Sequence, residues 1–416
     1  MIKVHRGWLV AGVTFLTLIA AAAFRSTTSP LLMPLEMEFG WTRSLTSAAL
    51  SLNLIFYGLT APFAATLMQR FGVRKIVAFA LVLVAAGSGL TIWMTQPWQL
   101  FLYWGVFVGF GTGCLALVFA SMVANRWFHK HRSLITGIFS AAYATGQLIF
   151  LPLITSLTNS VGWRYGTLVV AVFALVIVPI FWFIYRERPS DSGLLPIGAT
   201  EAIKEDAKPT LTVRDNLRLL FSAAKTVPFW LLAGTFFVCG WTTNGLIGAH
   251  FIPAAHDHGM PTTMAAGLLA VVGIFDFVGT IASGWLTDRI NPVILLVFYY
   301  GLRGLALFTV PFVLGPKVEP PMLFFIIFYG LDWIATVPPT AELCRRYFGL
   351  TNSPVIYGWV FASHMVGAAI AAPFAGMIRD VNGDYFIAWI TAAVLCLVAS
   401  VAVLWLKPNP KVLVIQ

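Results

Sequence analysis

The chain has 416 residues, 59% of them hydrophobic and only 10% charged, with 26 Lys and Arg against 16 Asp and Glu. A soluble globular domain is about 45–50% apolar and about 25% charged. The charged residues are therefore too few to coat the two or three water-soluble domains that this length would need. The composition excludes a disordered chain, a disulfide scaffold and a nucleic-acid-binding domain, and it fits a polytopic membrane protein.

One spanning helix takes about 20 mostly apolar residues, and the chain offers twelve such runs. The first, 8–34, follows a basic start like that of a signal peptide, but apolar runs continue along the whole chain, so it is expected to stay as a spanning helix; it carries Arg25. The second, third and fourth fall at 44–68, 74–95 and 99–125, the last with Gly109, Gly111 and Gly113. The fifth, 133–156, holds Tyr143 and Gln147, and the sixth is 164–185. The longest polar stretch, about 186–227, comes next. The seventh run, 228–254, holds Trp241, Asn244 and His250; the eighth, 262–286, holds Asp276; the ninth, 292–314, holds Arg303. The tenth, 322–344, holds Tyr329, Asp332 and Pro338-Pro339, the eleventh, 355–378, holds His364, and the twelfth is 385–406. Continuous apolar runs exclude a membrane barrel, whose strands alternate over about ten residues. The expected fold is an all-α membrane protein of twelve helices in two six-helix bundles, residues 1–185 and 228–416, joined by a loop at 186–227.

Charge placement orients the chain. With the N-terminus in the cytoplasm, the basic residues gather in cytoplasmic loops and tails; only Arg43, Arg164, Lys317 and Arg379 fall outside, and Arg25 and Arg303 lie within spans. The positive-inside rule then puts both termini in the cytoplasm and explains the net charge of +10 without nucleic acid. Cys114, Cys239, Cys344 and Cys396 show no paired spacing, so no metal site and no cofactor is expected. The absence of an N-x-S/T sequon points to a bacterial inner membrane.

The halves repeat. ATLMQR (65–70) matches GWLTDR (284–289) at an offset of 219, Arg126-Trp127-Phe128 matches Arg346-Tyr347-Phe348 at 220, and Gly137, Gly146 and Pro152 match Gly358, Gly367 and Pro373 at 221. Transporters with parallel repeats bind substrate at the repeat interface near the bilayer midplane.

ATLMQRFGVRK (65–75) and GWLTDR (284–289) resemble the signature loop of the major facilitator superfamily, with Ala65 and Gln69 departing from it in the first copy. FGWTRS (39–44), NRWFHKHRSLITGI (125–138), HFIPAAHDHG (250–259) and GMIRDVNGDY (376–385) resemble the bacterial oxalate/formate and monocarboxylate branch. The resemblance implies alternating access between the halves, with Arg70, Arg74, Asp288 and Arg289 as a cytoplasmic gate and a monomer as the working unit. That branch carries an Arg in helix 8 where this chain has Thr280, four residues after Asp276. The arginine and Gly-Pro patterns of helices 4 and 5 in antiporters of the superfamily are also absent.

A charge at the bilayer centre costs at least about 2.5–3.5 kcal/mol, so an intramembrane ionisable residue is a functional candidate by default. Asp276, Arg303, Asp332 and His364 fall near one depth and form the expected proton-coupling set. Arg303 can pair with either acid or both; a permanently closed ion pair locking helices 8, 9 and 10 is the alternative. Arg25 is the candidate to meet an anion, with Tyr143, Gln147, Trp241, Asn244, His250 and Tyr329 as further substrate-binding candidates. No catalytic motif or nucleotide-binding loop occurs, so an enzyme is not expected. The leading expectation is proton-coupled movement of a small organic anion, a monocarboxylate with an apolar body. Efflux of hydrophobic or cationic compounds on Asp276 and Asp332 is the alternative, and a non-transporting sensor on the same scaffold is a third.

Overall fold

The computed structural model describes residues 5–129, 132–199 and 212–407. Ten helical segments are long and apolar enough to cross a membrane: α1 (Arg6–Phe39), α2 (Arg43–Ala64, helical on to Phe71), α3 (Val73–Trp93), α6 (Trp163–Ile184), α7 (Val227–Asp257), α8 (Thr262–Thr287), α9 (Pro292–Val313), α10 (Pro320–Gly349), α11 (Asn352–Asn382) and α12 (Phe386–Val403). The two remaining expected spans are helical as well, α4 over 97–127 and α5 over Arg132–Ser160. The helical content and the twelve membrane-length segments agree with the sequence reading.

Two apolar cores form. One gathers residues between Val10 and Tyr185, the other residues between Ala223 and Leu406 with Leu151. A smaller cluster of Leu50, Leu54, Ala249, Met365, Ala368, Ala369 and Ala372 lies between them, where α2 meets α7 and α11. Leu175, Phe183, Ile281, Phe312 and Phe324 are exposed on the outer surfaces of the spans, as lipid-facing side chains are. Helices in lipid gain nothing from burying such groups and associate by close packing at small residues. A Cβ on Gly240 would overlap the His364 carbonyl, and one on Gly367 would overlap that of Phe237, so α7 and α11 cross backbone to backbone. Gly146, the repeat partner of Gly367, packs closely on the Ala22 side chain of α1. The repeat read in sequence is thus a repeated helix contact.

Among the described residues α1, α4 and α10 are broken, and α7 widens to i→i+5 turns over Trp241–Ile247. α1 turns at Ser26-Thr27, where Ser26, Thr27 and Thr28 hydroxyls donate to the carbonyls of Ala22, Phe24 and Arg25. α4 starts as a wide i→i+5 turn over Phe101–Val108 and breaks again at Ala116, which is extended at φ −68° and ψ −177°. The Asn53 amide of α2 donates to the Trp104 carbonyl in that wide turn, at 2.7 Å. α10 breaks between Asp332 and Val337, just before Pro338-Pro339.

The polar connection after α6 packs back on the helices over its described residues. Segment 186–199 returns under the α4–α5 turn, where His129 donates to Ile197 and Ile197 to Trp127. The amphipathic helix Val213–Ala223 follows, and its Asn216 amide donates to the Pro62 carbonyl of α2.

Candidate functional site

In lipid, a backbone group freed by a helix break must find a partner within the protein. The α10 break meets this demand with ionisable side chains. Arg303 of α9 is fully buried and donates from Nε to Asp332 Oδ2 at 2.5 Å. Its Nη2 donates to the Asp332 carbonyl at 2.5 Å and the Trp333 carbonyl at 3.2 Å. Its Nη1 reaches Cys239 Sγ of α7 at 3.0 Å. From α8, Asp276 Oδ1 accepts the Ile334 N–H at 3.0 Å and the Thr280 hydroxyl at 3.1 Å, and the Ser283 hydroxyl donates to the Ala335 carbonyl. Thr280, standing where the branch has an arginine, therefore serves as a donor to Asp276. Among the described residues Arg303 pairs with Asp332 alone, and Asp276 has no basic side chain within ion-pair distance.

A second group lies between the two cores, beside the α1 break. The Arg25 guanidinium stands 4.7 Å over the Tyr57 ring of α2. Tyr57 meets Phe361 of α11 edge-on at 5.9 Å, and Phe361 stacks on His364 at 5.7 Å with ring planes 8° apart. The Asn244 amide of α7 lies 3.2 Å from His364 Nε2. An amide nitrogen only donates, so Nε2 accepts and the imidazole proton sits on Nδ1, which has no hydrogen-bond partner among the described residues. Arg25, Tyr57, Asn244 and Phe361 are all half-buried. An arginine and two aromatic faces here come together with a buried imidazole, contributed by both cores.

The other expected binding residues fall elsewhere. Trp241 packs on Phe237 and Phe374, and the Tyr329 hydroxyl donates to the Thr242 carbonyl in the shell of Arg303. Gln147 is half-buried on α5, next to the Gly146 contact. The Tyr143 side chain lies outside the described residues. His364 bonds Asn244 and packs on Phe236 and Phe361.

A third group closes the end away from the 2–3 and 8–9 loops. Arg43 pairs with Glu36 through two bonds of 2.6 and 2.7 Å and donates to the Tyr385 hydroxyl at 2.7 Å. Arg43 also lies 3.9 Å from Asp257, which Arg379 holds at 2.8 Å, and Asp380 accepts the Ser44 N–H at 3.0 Å. His250 is fully buried here, bonded to Tyr385 and to the Ala372 carbonyl. Burial pushes the Tyr385 hydroxyl above its ordinary range, so it stays a proton donor. Apart from His250, sequence reading gave these residues no site role, placing only Arg43 and Arg379 as outer charges. Their signal was the resemblance itself: 39–44, 250–259 and 376–385 meet in this one network.

The expected gate loops show no such crossing among the described residues. Arg70 lies over Phe71, Arg74 over Trp182, and Arg289 over Trp285. Asp288 is exposed. Where Gln69 replaces the signature Asp, Glu187 accepts the N–H groups of Val73 and Arg74 and pairs with Arg126 at 3.2 Å.

The model of the Major Facilitator Superfamily matches residues 14–359. The chain belongs to that superfamily. This major facilitator is 26% identical over 410 residues to an uncharacterized MFS-type transporter, YcxA, of Bacillus subtilis (strain 168), covering 96% of this chain and 95% of that one. It is 27% identical over 356 residues to monocarboxylate transporter 13 of Bos taurus, covering 84% and 77%, and 26% identical over 415 residues to monocarboxylate transporter 11 of Homo sapiens, covering 95% and 81%. In fold it is similar to the D-xylose-proton symporter crystal structure, with a TM-score of 0.72 at 13% identity over 97% of this chain and 98% of that one. It is a multi-pass membrane transporter and not an enzyme.

Proposed function

We propose that this major facilitator moves a small organic anion, a monocarboxylate with an apolar body, together with protons. The observation that carries this reading is Arg25 held over Tyr57 between the two cores, opposite the His364–Asn244 pair. A guanidinium offers a planar fork that matches a carboxylate, and Tyr57 and Phe361 offer aromatic faces to the apolar remainder. The names of the two monocarboxylate transporters to which it is similar support the same substrate class.

In this reading residues 1–185 and 228–416 rock against each other as a monomer, with 186–227 as the strap between them. The 2–3 and 8–9 loops face the cytoplasm of a bacterium, with both termini, and the Arg43 network closes the outer end. Arg70, Arg74, Asp288 and Arg289 then engage when the cytoplasmic side closes. Asp276 is the proton carrier of the spans, because Asp332 is held by Arg303.

The test is purified protein in liposomes, with monocarboxylates, dicarboxylates and lipophilic cations supplied in turn and lumen pH followed. A monocarboxylate gradient is expected to acidify the lumen, and Arg25→Ala to abolish the signal. Proton release driven by lipophilic cations alone would overturn the anion reading in favour of efflux.

A further inference from the structure

We propose that His250 is a proton-binding site that governs the seam between the two cores: the seam closes around a neutral imidazole and opens when that imidazole takes up a proton. The hydrogen positions follow from the partners. Nε2 lies 2.7 Å from the Ala372 carbonyl oxygen, which can only accept, so Nε2 carries a hydrogen. Nδ1 lies 3.2 Å from the Tyr385 hydroxyl, whose oxygen already accepts from Arg43 at 2.7 Å. The single phenol hydrogen therefore goes to Nδ1. Every hydrogen in the chain Arg43 → Tyr385 → His250 → Ala372 has one acceptor, and the imidazole in it is neutral.

A second proton on the ring breaks this order. Nδ1–H and the Arg43 guanidinium would converge on one phenol oxygen, two cations against one acceptor, and the phenol hydrogen would lose its partner in a buried place. Unmet polar groups and uncompensated charge in such a setting are costly.

Among the described residues the neighbouring acids are already engaged. Glu36 is taken by Arg43, Asp257 by Arg379, and Asp380 accepts the Ser44 N–H. From α2 the Ser47 hydroxyl reaches the ring, at 3.5 Å. The bonds at stake join the cores: Arg43 to Tyr385, Ser44 to Asp380, and Ser29 to the Ala249 carbonyl one residue before His250. Opening frees the imidazole to water, where it titrates near pH 6.5. Proton uptake and opening of this end are then one event, upstream of Asp276.

This inference rests on the proposed transport cycle only in that the seam opens. Its test reads the seam and uses no substrate, so a failed carboxylate assay and a failed latch are separate results. Spin labels at Met37→Cys and Val381→Cys occupy exposed positions at this end, whereas Cys114, Cys239, Cys344 and Cys396 are all buried. In liposomes the long-distance population is expected to grow as pH falls below about 6.5, by up to about tenfold per unit, the limit for one linked proton. His250→Gln is expected to flatten the response. Tyr385→Phe, which keeps the imidazole but removes the phenol that bridges it to Arg43, is expected to raise the open population at every pH. A distance unaffected by pH in the parent protein, or a full response retained in His250→Gln, would overturn the proposal.

Discussion

Replacing Arg303 with Met removes the donor that holds the α10 break together. The change leaves the buried Asp332 carboxylate without its cation, a loss worth about 3–5 kcal/mol. It also strands the Asp332 and Trp333 carbonyls, which Arg303 reaches at 2.5 and 3.2 Å, at about 1–3 kcal/mol for each group left without a donor. The sum approaches the whole stability of an ordinary domain, about 5–15 kcal/mol. Asp332→Leu alone costs about 3–5 kcal/mol by burying the guanidinium without a counter-charge. The double variant Arg303→Met/Asp332→Leu removes both charges and keeps only the carbonyl penalty. It is therefore expected to be more stable than Arg303→Met by about 3 kcal/mol, the charge penalty removed. Unfolding of the purified protein in detergent, followed by tryptophan fluorescence, measures all three. A double variant as unstable as Arg303→Met, or additive with the two single changes, would refute the reading of this pair as the clasp of a broken helix.

Gly240→Ala forces a Cβ into the His364 backbone and is expected to cost folded protein outright, while Gly234→Ala, with nothing near its Cβ, is expected to stay within about 1 kcal/mol of the parent, the size of the Gly-to-Ala propensity gain; thermal unfolding separates the two. The strap helix Val213–Ala223 is capped by Thr212, whose hydroxyl and N–H bond Asp215 and hold its carboxyl below the ordinary value of 3.8. A lowered carboxylate value means the cap is intact above that value and lost as pH falls through the lower folded one. Thr212→Ala is accordingly expected to speed amide exchange over 213–216 at neutral pH, and acid well below pH 3.8 to do the same in the parent.

The spans and the repeat were legible because apolar run length is read directly from sequence and because the two copies keep one order. Breaks were only half legible. Pro338-Pro339 marked a weakness in α10, but the break falls just before it, at Trp333–Thr336, where Arg303, Asp276 and Ser283 take the freed backbone groups. Gly109, Gly111 and Gly113 each sit against a backbone carbonyl of α2 or α3. Shared depth grouped Asp276, Arg303, Asp332 and His364, but depth says nothing of which side of a helix a residue occupies: Arg303 holds Asp332, Asp276 takes the Ile334 N–H, and His364 bonds Asn244. The Arg43 network escaped sequence reading for another reason. Its members come from the two ends of α1 and α2, from α7, from α11 and from the turn before α12, and pairing across such separations leaves no local pattern.

The most direct measurement compares Arg25→Ala with Asp276→Asn in two liposome assays, exchange of a labelled monocarboxylate at equal concentrations and net uptake driven by a proton gradient. Proton-coupled anion transport predicts that Arg25→Ala loses both, while Asp276→Asn keeps exchange and loses proton-driven uptake. Exchange that survives Arg25→Ala, with Asp276→Asn the variant that abolishes it, would contradict the account.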